Sequence, residues 1–425
     1  MKFITSKSKI SGAVSIPGSK SHTIRALAFG LLAKGESVIE RPLVSSDTES
    51  CIAMIEALGA KVAREQDLWR ITGTGGNLSV PEDVINVGNS GTTLFFGIGL
   101  AALVNGSVVF TGDSSIRKRS AQSLLLAINH LGGQAFSTRK NGRPPVVVTG
   151  PVPGGGSVIE SVTSQYLSSL LIALPCAAHD SVIDVTKLNE HPYVDMTLTW
   201  MGKLGVKCEN RDYRQFIVPG GQRYSSFREV VPGDFSSATF FFEAAAITGC
   251  ELSILGLDNG DSQGDSEVLK ILQMMGASVS TEGGVTVVKG GGLKGGTFDL
   301  NAIPDSLPAL AVCACFAEGE TRLVNVAQAR IKETDRIAVM CRELSRLGAD
   351  IRELPDGLAI KGTGGLKGGK VGGHGDHRVV MALAVAGLAS DAPIEVDTAE
   401  SSRVTFPSFF DLMQSIGADI RREEK

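Results

Sequence analysis

The sequence predicts an α/β protein of two similar domains with three repeats each, and three observations support this prediction. A helix-like apolar run that stops at a glycine recurs six times along the 425 residues. Strand-like stretches that end at a glycine follow these runs, as in "LWRITG", "PPVVVTG", "RQFIVPG", "GVTVVKG" and "GLAIKG". The copies divide three and three near "VVPGDFSS", which favours two domains in a chain too long for one ordinary core.

The helix stops are the most regular part of the pattern. Their glycines are separated by 73, 73, 71, 72 and 69 residues. Glycine enters the left-handed conformation at a helix C′ position at little cost, and there it directs the chain into a strand. The spacing therefore predicts helices that end at Gly59, Gly132, Gly205, Gly276, Gly348 and Gly417. A period of about 72 residues exceeds that of solenoid repeats, so each copy has room for several strands and two helices.

Serine, proline and aspartate mark candidate helix beginnings. Ser46 and Glu49 have the spacing of a capping box, and Pro192 and Pro407 suit the first turn of a helix. Asp305, in "AIPDSLPAL", is either a helix N-cap or a carboxylate that faces a cleft as a base. The residues alone leave both interpretations open.

Composition excludes several classes of protein. The formal net charge is −4, aromatic residues make up 5% of the chain, and basic and aromatic residues are not interleaved, so we expect no nucleic-acid partner. The chain has seven cysteines without CxxC spacing, no signal-peptide pattern and no apolar run of membrane-spanning length. We therefore expect a cytoplasmic protein with reduced cysteines and no membrane partner.

A lysine stands where a helix is predicted to begin, in "PGSKSHTIRALAFGLLAKG". A helix N-terminus is already partly positive and favours anions, so Lys20 at this position suggests an anion that comes from outside the chain. The alternative is a solvated lysine beside an ordinary serine cap.

Cations and their partners cluster in a few short glycine- or serine-rich segments, namely "GSKSHTIR", "GNSGTT", "SSIRKRS", "VTSQY", "RIKETDR" and "GDHR". Such segments suit a small polyanionic ligand in a cleft between domains, because arginine binds carboxylates and phosphates through two parallel hydrogen bonds. The alternative for each arginine is a surface or interdomain ion pair. The cations concerned are Lys20, Arg25, Arg119, Lys332, Arg336 and Arg378.

Two of these segments also carry groups that could transfer protons or bind metal. In "RIKETDR", Glu333 lies between two cations that would set its pKa and suit it to proton transfer, unless the segment is simply an exposed helix face with i,i+4 pairs. In "GDHR", Asp376 could merely orient Arg378, and His377 has no metal-ligand partner at recognisable spacing. We therefore predict no metal site.

Eleven segments together resemble the 5-enolpyruvylshikimate-3-phosphate synthase family of enolpyruvyl transferases. They occur in the family's order from residue 15 to beyond 410: "PGSKSHTIRAL", "GNSGTT", "IRKR", "SVTSQYLSSLL", "HPYVDMTL", "GDFSSATFF", "QGD", "IPD", "RIKETDR", "GDHR" and "TFPSFF". The resemblance implies an inverse α/β prism, in which two pseudo-threefold domains of three βαβαββ repeats each flank an interdomain cleft. It places residues 18–233 in one domain, and residues 1–17 plus 234–425 in the other.

The resemblance also implies a reaction. The enolpyruvyl group of phosphoenolpyruvate is transferred to the 5-hydroxyl of shikimate 3-phosphate, and phosphate is released from a tetrahedral intermediate. No cofactor or metal is expected, and the protein should act as a monomer. Ligand-driven closure is implied, with hinges near residues 12–18 and 231–236. Glyphosate should inhibit the protein, because Gly91 is the small residue of the sensitive pattern.

Site residues follow from the resemblance motif by motif. It assigns Asp305, Glu333 and Lys20 to proton transfer and elimination. It assigns phosphoenolpyruvate to Lys20, Asn89, Gly91, Arg119, Gln165, Arg336 and Arg378. It assigns shikimate 3-phosphate to Ser21, Arg25, Thr163, Ser164, Gln165, Tyr193, Asp305, Gln328 and Lys332.

The match departs from the common bacterial pattern at a few positions. Phe95 replaces an arginine, Gln328 an asparagine, and Val404, after Arg403, a lysine. Glu190 replaces a serine expected to contact the substrate phosphate, and its carboxylate would repel phosphate unless it is turned away or paired. Two alternatives therefore stay open: a related transferase that acts on another phosphorylated alcohol or a nucleotide sugar, and a non-catalytic anion-binding protein.

Overall fold

The chain forms two compact units. The computed structural model describes residues 1–424. Lys20–Val231 form one unit, called here the N-unit, and Met1–Ser19 with the chain from Pro232 onward form the other, called the C-unit. Each unit has a hydrophobic core of its own.

Twelve α-helices are divided equally between the units among the described residues. The N-unit contains α1 Lys20–Leu32, α2 Ser46–Ala57, α3 Gly91–Ala101, α4 Gln122–His130, α5 Ser164–Ala173 and α6 His191–Lys203. The C-unit contains α7 Phe235–Thr248, α8 Glu267–Met274, α9 Leu307–Cys315, α10 Arg336–Arg346, α11 His377–Ala386 and α12 Phe409–Ser415.

The strands are short, as expected for hairpins and crossovers of a small repeat. The first two, which belong to the C-unit, are β1 Lys2–Ser6 and β2 Gly12–Ser15. The N-unit strands are β3 Glu36–Glu40, β4 Lys61–Glu65, β5 Leu68–Thr72, β6 Ile85–Asn86, β7 Gly106–Thr111, β8 Gln134–Ser137, β9 Val146–Gly150, β10 Gly155–Ser161, β11 Ser181–Leu188, β12 Glu209–Arg211, β13 Gln215–Val218 and β14 Arg228–Val230. The remaining C-unit strands are β15 Glu251–Leu255, β16 Ser278–Glu282, β17 Val285–Lys289, β18 Thr297–Asp299, β19 Glu320–Val324, β20 Asp350–Leu354, β21 Gly357–Lys361, β22 Gly369–Val371, β23 Ile394–Val396 and β24 Asp419–Glu423.

Each unit contains three four-stranded sheets of the same topology. The N-unit sheets have the strand orders β14-β3-β5-β4, β6-β7-β9-β8 and β10-β11-β13-β12, and the C-unit sheets β2-β15-β17-β16, β18-β19-β21-β20 and β22-β23-β1-β24. In every sheet the first pair is parallel and the other pairs are antiparallel. The run β6-α3-β7-α4-β8-β9 is therefore one βαβαββ repeat, and the predicted fold class is confirmed.

Three of the strands complete a sheet that lies far away in sequence. Strand β2 directly precedes α1 of the N-unit, but it pairs in parallel with β15 of the C-unit. Strand β14 directly precedes α7 of the C-unit, but it pairs with β3 of the N-unit. Strand β1 fills the place between β23 and β24, with Phe3 opposite both Val396 and Arg422. The chain therefore changes unit immediately before α1 and immediately before α7.

The first helix of each repeat forms the centre of its unit. Every residue of α3 and of α9 is buried, which is the pattern of a helix surrounded by protein on all sides. In the C-unit, α7, α9 and α11 pack against one another, and in the N-unit α3 packs along α5. The beginnings of these central helices carry most of the predicted site residues.

The glycine stops behave as predicted. Gly59, Gly132, Gly205, Gly276, Gly348 and Gly417 all have positive φ, between 76° and 110°. The five quoted stretches form the strands β5, β9, β13, β17 and β21, each an inner strand of its sheet. The repeat pattern is thus visible in the backbone conformation itself.

Some predicted helix beginnings need correction. The cap of α2 is Ser45, which forms a capping box with Thr48, so the prediction of Ser46 and Glu49 is one residue out. Pro192 lies in the first turn of α6 as predicted, whereas α12 begins at Phe409, beyond Pro407. Thr48 takes the N3 position that Glu or Gln usually holds in a capping box, and its Oγ1 accepts from the Ser45 amide at 2.9 Å.

All seven cysteines are free thiols. Within residues 1–424 no helix has both the length and the apolar character to cross a membrane.

Candidate active site

The first side chain of α1 is held by an acid of the next helix. Lys20 Nζ lies 3.0 Å from Asp47 Oδ2, and the two side chains are 16% and 6% exposed. Asp47 lies in the first turn of α2, where an acid is favourable. The interpretation of Lys20 as a solvated surface lysine is therefore wrong, because its ammonium group is directed to a mostly buried carboxylate.

The beginning of α3 brings together four of the predicted phosphoenolpyruvate ligands. Ser90 caps this helix through the Thr93 amide. A Cβ at Gly91 would overlap the guanidinium of Arg119, and Gln165 Oε1 lies nearby. Glycine at position 91 therefore leaves space for the Arg119 guanidinium, and its backbone φ is not in the left-handed region.

Three hydrogen bonds to Asp113 order the loop that carries Arg119. Asn89 Nδ2 donates to Asp113 Oδ2 at 2.6 Å, and Asp113 Oδ1 accepts from the amides of Ser115 and Ile116 at 2.9 Å. Asp113 therefore shapes the "SSIRKRS" loop and holds Asn89 beside it. On α5, Gln165 Nε2 donates to Thr92 Oγ1 at 3.0 Å, which ties α5 to α3.

Phe95, which replaces an arginine of the family pattern, is a core residue. Its ring is buried and packs edge-on against Tyr166, with 4.9 Å between the ring centroids. Burial raises the pKa of Tyr166, an effect that the charge of Arg119 partly opposes, and the hydroxyl donates to the Ser120 carbonyl. The departure at position 95 therefore changes the packing under the site and places an apolar ring where the pattern has a cation.

Arg25 connects α1 to α6 through its buried guanidinium. Nη2 donates to the Tyr193 carbonyl at 2.7 Å, Nε to Thr197 Oγ1 at 3.0 Å, and Nη1 to the Ser21 carbonyl at 3.1 Å. The guanidinium also lies 5.3 Å from the centroid of the Phe96 ring. Arg25 thus positions Ser21 and Tyr193, two other residues assigned to shikimate 3-phosphate.

The beginning of α5 is occupied by a carboxylate of the chain itself. Glu190 Oε2 accepts from Ser164 Oγ at 2.8 Å, and from Thr163 Oγ1 and the Ser164 amide at 3.1 Å each. Glu190 is 2% exposed and has a left-handed backbone, with φ 60° and ψ 46°. Its carboxylate therefore faces the predicted phosphate ligands Thr163 and Ser164.

In the C-unit, Arg336 is the centre of a network of acids. Its Nη2 lies 2.6 Å from Glu333 Oε2, its Nη1 2.7 Å from Asp305 Oδ1, and its Nε 2.8 Å from Asp376 Oδ2. Arg378 Nη2 lies 3.1 Å from the other oxygen of Asp305. The carboxylate of Asp305 is therefore shared by two arginines, as a substrate carboxylate could be.

The local backbone explains these positions. Helix α10 begins at Arg336 and is capped by Asp335, so Glu333 precedes the helix and the interpretation of "RIKETDR" as an exposed helix face is wrong. Asp305 lies in the short turn Pro304–Ser306 before α9, and Ser306 takes the cap position, so the N-cap interpretation of Asp305 is also wrong.

Burial and charge act in opposite directions on the two arginines. Burial alone would lower the pKa of Arg336, but Asp376, Glu333 and Asp305 raise it above its usual value. Burial also acts to lower the pKa of Arg378, and Asp305 is the main group that raises it. Both guanidiniums stay charged because their carboxylate partners replace the water that burial removes.

One group of possible metal ligands lies within this network. Glu333, Asp376 and His377 each offer one ligand atom, and these atoms lie within 4.8 Å of one another. Sequence spacing did not reveal this proximity. Arg336 donates to both carboxylates, so a metal ion would have to displace or adjoin a guanidinium charge, and the arrangement favours the arginine.

The remaining predicted residues lie in two irregular segments of the C-unit. Gln328 is buried and donates to the Asn301 carbonyl at 3.0 Å. Lys332 is half-buried and follows the turn Ala327–Ile331. Val404 is half-buried and Arg403 is exposed at the end of the turn Ala399–Val404.

Sequence reasoning missed the partners that hold the predicted residues in place. Asp47 and Asp113 were not singled out, although each lies in or beside a short turn with serine or glycine. Asp376 was considered only as a residue that orients Arg378, whereas it caps α11 and also binds Arg336. The signal available in the sequence was that these aspartates lie next to a predicted helix beginning. That signal does not show which residue, far away in the sequence, each aspartate binds.

Comparisons with known proteins agree with this architecture. A family model described as EPSP synthase (3-phosphoshikimate 1-carboxyvinyltransferase) matches residues 4–413. A protein of Acetivibrio thermocellus with the name 3-phosphoshikimate 1-carboxyvinyltransferase is 58% identical over 414 residues, covering 97% of this chain and 98% of the relative. One of the same name from Ruminiclostridium cellulolyticum is 52% identical over the same shares.

A solved structure is similar throughout. An EPSP synthase of Acinetobacter baumannii superposes with a TM-score of 0.82 at 27% identity, over 99% of this chain and 100% of that one.

The fold and the arginine–carboxylate network define an α/β protein of six repeats with a charged cluster suited to anionic ligands. The family model and the relatives narrow this class, and the chain belongs to the EPSP synthase family. It is an enzyme that transfers the enolpyruvyl group of phosphoenolpyruvate to the 5-hydroxyl of shikimate 3-phosphate, in the biosynthesis of aromatic compounds. Of the interpretations left open by the sequence, this one is confirmed.

Proposed function

We propose that the residues assigned from the sequence carry out this reaction and that they form two functional groups. The beginnings of α1, α3 and α5 bind the phosphate groups of the substrates. The network around Arg336 binds the carboxylate of phosphoenolpyruvate and moves the protons. The observation that carries this proposal is the pair of arginines, Arg336 and Arg378, on the two oxygens of Asp305.

The shared carboxylate suggests how the base is controlled. While Asp305 is bound by two guanidiniums, its negative charge is stabilised and it is a weak base. The carboxylate of phosphoenolpyruvate can take the place of Asp305 on Arg336 and Arg378. Asp305 then loses two opposite charges and becomes more basic, so it can accept the proton of the 5-hydroxyl. Binding of phosphoenolpyruvate would thus activate the 5-hydroxyl of shikimate 3-phosphate.

The steps that follow require one further acid. The hydroxyl oxygen bonds to the substituted carbon of phosphoenolpyruvate, and the methylene carbon gains a proton from Glu333, assisted by Lys20. In the tetrahedral adduct the methyl group then returns a proton to the Glu333 carboxylate as the C–O bond to phosphate breaks, which forms the enol ether and releases inorganic phosphate. Fixed cations stabilise the charge that develops on the departing phosphate. No cofactor is required by these steps.

The other assignments complete the proposal. Phosphoenolpyruvate is bound by Lys20, Asn89, Gly91, Arg119, Gln165, Arg336 and Arg378, and shikimate 3-phosphate by Ser21, Arg25, Thr163, Ser164, Gln165, Tyr193, Asp305, Gln328 and Lys332. The domains are residues 18–233 and 1–17 plus 234–425, and the change of unit after Ser19 and after Val231 supports this division. A monomer in the cytoplasm is the proposed working form.

An acceptor screen combined with an Asp305 variant tests the proposal. Phosphate release from phosphoenolpyruvate should depend on shikimate 3-phosphate and should not occur with a nucleotide sugar. Asp305→Asn should lower kcat by roughly 10²–10⁴-fold, the usual contribution of a general base, while phosphoenolpyruvate still binds. Asp299→Asn is the matched control, because Asp299 lies in the same unit and bonds only to exposed turn groups in the described contacts.

Two outcomes would contradict the proposal. Turnover with a nucleotide sugar in place of shikimate 3-phosphate would assign a different acceptor. An Asp305→Asn variant as active as Asp299→Asn would remove Asp305 from the proton transfer.

A further inference from the structure

Glu190 holds a position that the family pattern gives to a serine. Its Oε2 atom collects three hydrogen bonds, from the two hydroxyls of Thr163 and Ser164 and from the Ser164 amide. The donors are uncharged, and they lie at the positive end of α5. Convergence of three donors on one oxygen is the arrangement that binds an oxygen of a phosphate group.

The backbone around Glu190 is built to hold it there. Asn189 Nδ2 donates to the Val162 carbonyl at 3.0 Å, and the Asn189 amide to the Ser161 carbonyl at 3.2 Å. The Tyr193 amide donates to the Glu190 carbonyl at 3.1 Å as α6 begins. These contacts fix the segment against the turn that leads into α5 and stabilise a left-handed glutamate, which is uncommon.

Resting on the proposed function, we propose that Glu190 occupies the subsite for the phosphate of shikimate 3-phosphate and acts as an internal competitor. The donors assigned to that phosphate, Thr163 and Ser164, are the donors that the Glu190 carboxylate uses. Substrate phosphate can bind there only when the glutamate side chain has rotated away. Glu190 is then a residue that sets acceptor affinity and specificity.

The competition favours the complete acceptor over smaller anions. Inorganic phosphate would take over the three hydrogen bonds that Glu190 already makes, so exchange of one anion for the other gives it little advantage. Shikimate 3-phosphate adds contacts of its ring and hydroxyls, and these can offset the displacement of the carboxylate. Glu190 thereby keeps the subsite closed to free phosphate, which is also a product of the reaction.

The test is a pair of Glu190 variants measured with the full-length enzyme. Glu190→Ser removes the competitor, and Glu190→Gln keeps its size but removes the charge. For Glu190→Ser we expect the KM for shikimate 3-phosphate to fall roughly 10-fold, which corresponds to one lost charge-assisted contact. We also expect inhibition by inorganic phosphate, competitive with shikimate 3-phosphate, to become at least about 10-fold stronger. Glu190→Gln should change both quantities in the same direction by less.

A control and a second measurement keep the outcomes distinct. Glu160→Gln removes an exposed negative charge from β10 of the same unit and should change neither constant. Isothermal titration of inorganic phosphate into the Glu190→Gln enzyme tests the subsite without turnover, and it serves if Glu190→Ser does not fold.

Failure of this proposal and failure of the proposed function give different results. If the unaltered enzyme turns over with shikimate 3-phosphate, but the variants neither bind phosphate more tightly nor lower the KM, Glu190 does not compete and this inference is wrong. A rise of the KM in both variants would also overturn it, because Glu190 would then assist the acceptor. If the unaltered enzyme does not use shikimate 3-phosphate at all, the proposed function fails first.

Discussion

The two units begin their central helices with opposite chemistry. In the N-unit, α1 begins with Lys20, α3 is capped by Ser90, and α5 begins with the hydroxyl residues Thr163 and Ser164. In the C-unit, α7 and α11 are capped by aspartates, and Asp305 lies two residues before α9. The same repeat therefore provides donors in one unit and acids in the other.

This difference separates two ways of holding an anion. The donors at the beginning of α5 are neutral, so they can exchange one anion for another. They leave no buried charge of their own when an anion departs. Arg336 and Arg378 are charged and buried, and without a carboxylate partner their burial would be strongly unfavourable. The acids of the C-unit therefore serve as counter-ions of these two arginines, and we expect changes there to cost more stability than changes at α5.

The largest expected effect comes from Arg336→Lys. A lysine has one point charge and cannot bind Asp305, Glu333 and Asp376 in three directions at once, so Asp376 would be left buried with too few donors. We expect the free energy of unfolding to fall by about 3–5 kcal/mol. We expect kcat/KM to fall on the order of 10²–10³-fold, which is the usual cost of losing one positioned charge-stabilising donor.

Arg352→Lys is the matched control for this variant. Arg352 is 60% exposed and pairs loosely with Glu320, at 3.8 Å, in the same unit. Urea unfolding and steady-state kinetics should show almost no change for it. An Arg336→Lys enzyme that is as stable and active as this control would contradict the role of Arg336 as a counter-ion.

A smaller effect is expected at the donor-rich unit, from Gly91→Ala. The added methyl group would overlap the guanidinium of Arg119, a flexible group that can move aside. The helix should fold as before, but Arg119 should no longer be placed for phosphoenolpyruvate. We expect the KM for phosphoenolpyruvate to rise roughly 10-fold with a smaller change in kcat, since this pattern indicates loss of ground-state binding.

Gly202→Ala controls for the change of residue type. Gly202 lies in α6 with ordinary helical φ, and a Cβ there would meet no atom within 4 Å. Its kinetics should match those of the unaltered enzyme. An equal rise of the KM in both variants would show that alanine acts through the helix and not through Arg119.

Local backbone features of both units can be predicted from the sequence, whereas long-range pairs of side chains cannot. Glycine stops and inner strands depend on local backbone preferences, so the six repeats could be read directly. Lys20 and Arg336 were found because their segments combine cations with turn residues. Their partners, Asp47 and Asp376, are 27 and 40 residues away, and pairing over such distances depends on how helices are brought together.

Glu190 is a second example of a residue whose identity was informative but whose contacts could not be predicted from the sequence. The sequence showed that a glutamate stands where the family has a serine, and chemistry showed that it would repel phosphate. The left-handed backbone of Glu190, and the three donors that meet its carboxylate, depend on the packing of the segment 189–191 against the turn before α5. The direction of the side chain could not be derived from residue types alone.

The smallest expected effect concerns Glu243, an acid of the C-unit without an arginine. Glu243 lies on α7 and is 1% exposed, and neither carboxylate oxygen has a hydrogen-bond partner among the described residues. Burial raises the pKa of this carboxyl well above its usual value, so the folded protein holds it in the neutral form. Glu243 therefore indicates how much folding stability a buried acid of this unit costs when no cation compensates its charge.

The sign of the pH dependence follows from this raised pKa. At pH values below the ordinary pKa of 4.5, the carboxyl is protonated in both the folded and the unfolded chain, and it adds no pH dependence. As the pH rises above that value, the unfolded chain loses the proton while the folded chain keeps it, so the free energy of unfolding falls.

Glu243→Met should remove this slope and raise the free energy of unfolding by about 1–3 kcal/mol near neutral pH, with a smaller gain at pH 5. Urea unfolding at several pH values measures the free energy of unfolding of this variant. Glu318→Met is the control, because Glu318 is exposed. A gain that does not depend on pH would mean that Glu243 is ionised in the folded protein, and that the C-unit tolerates an acid without a cation.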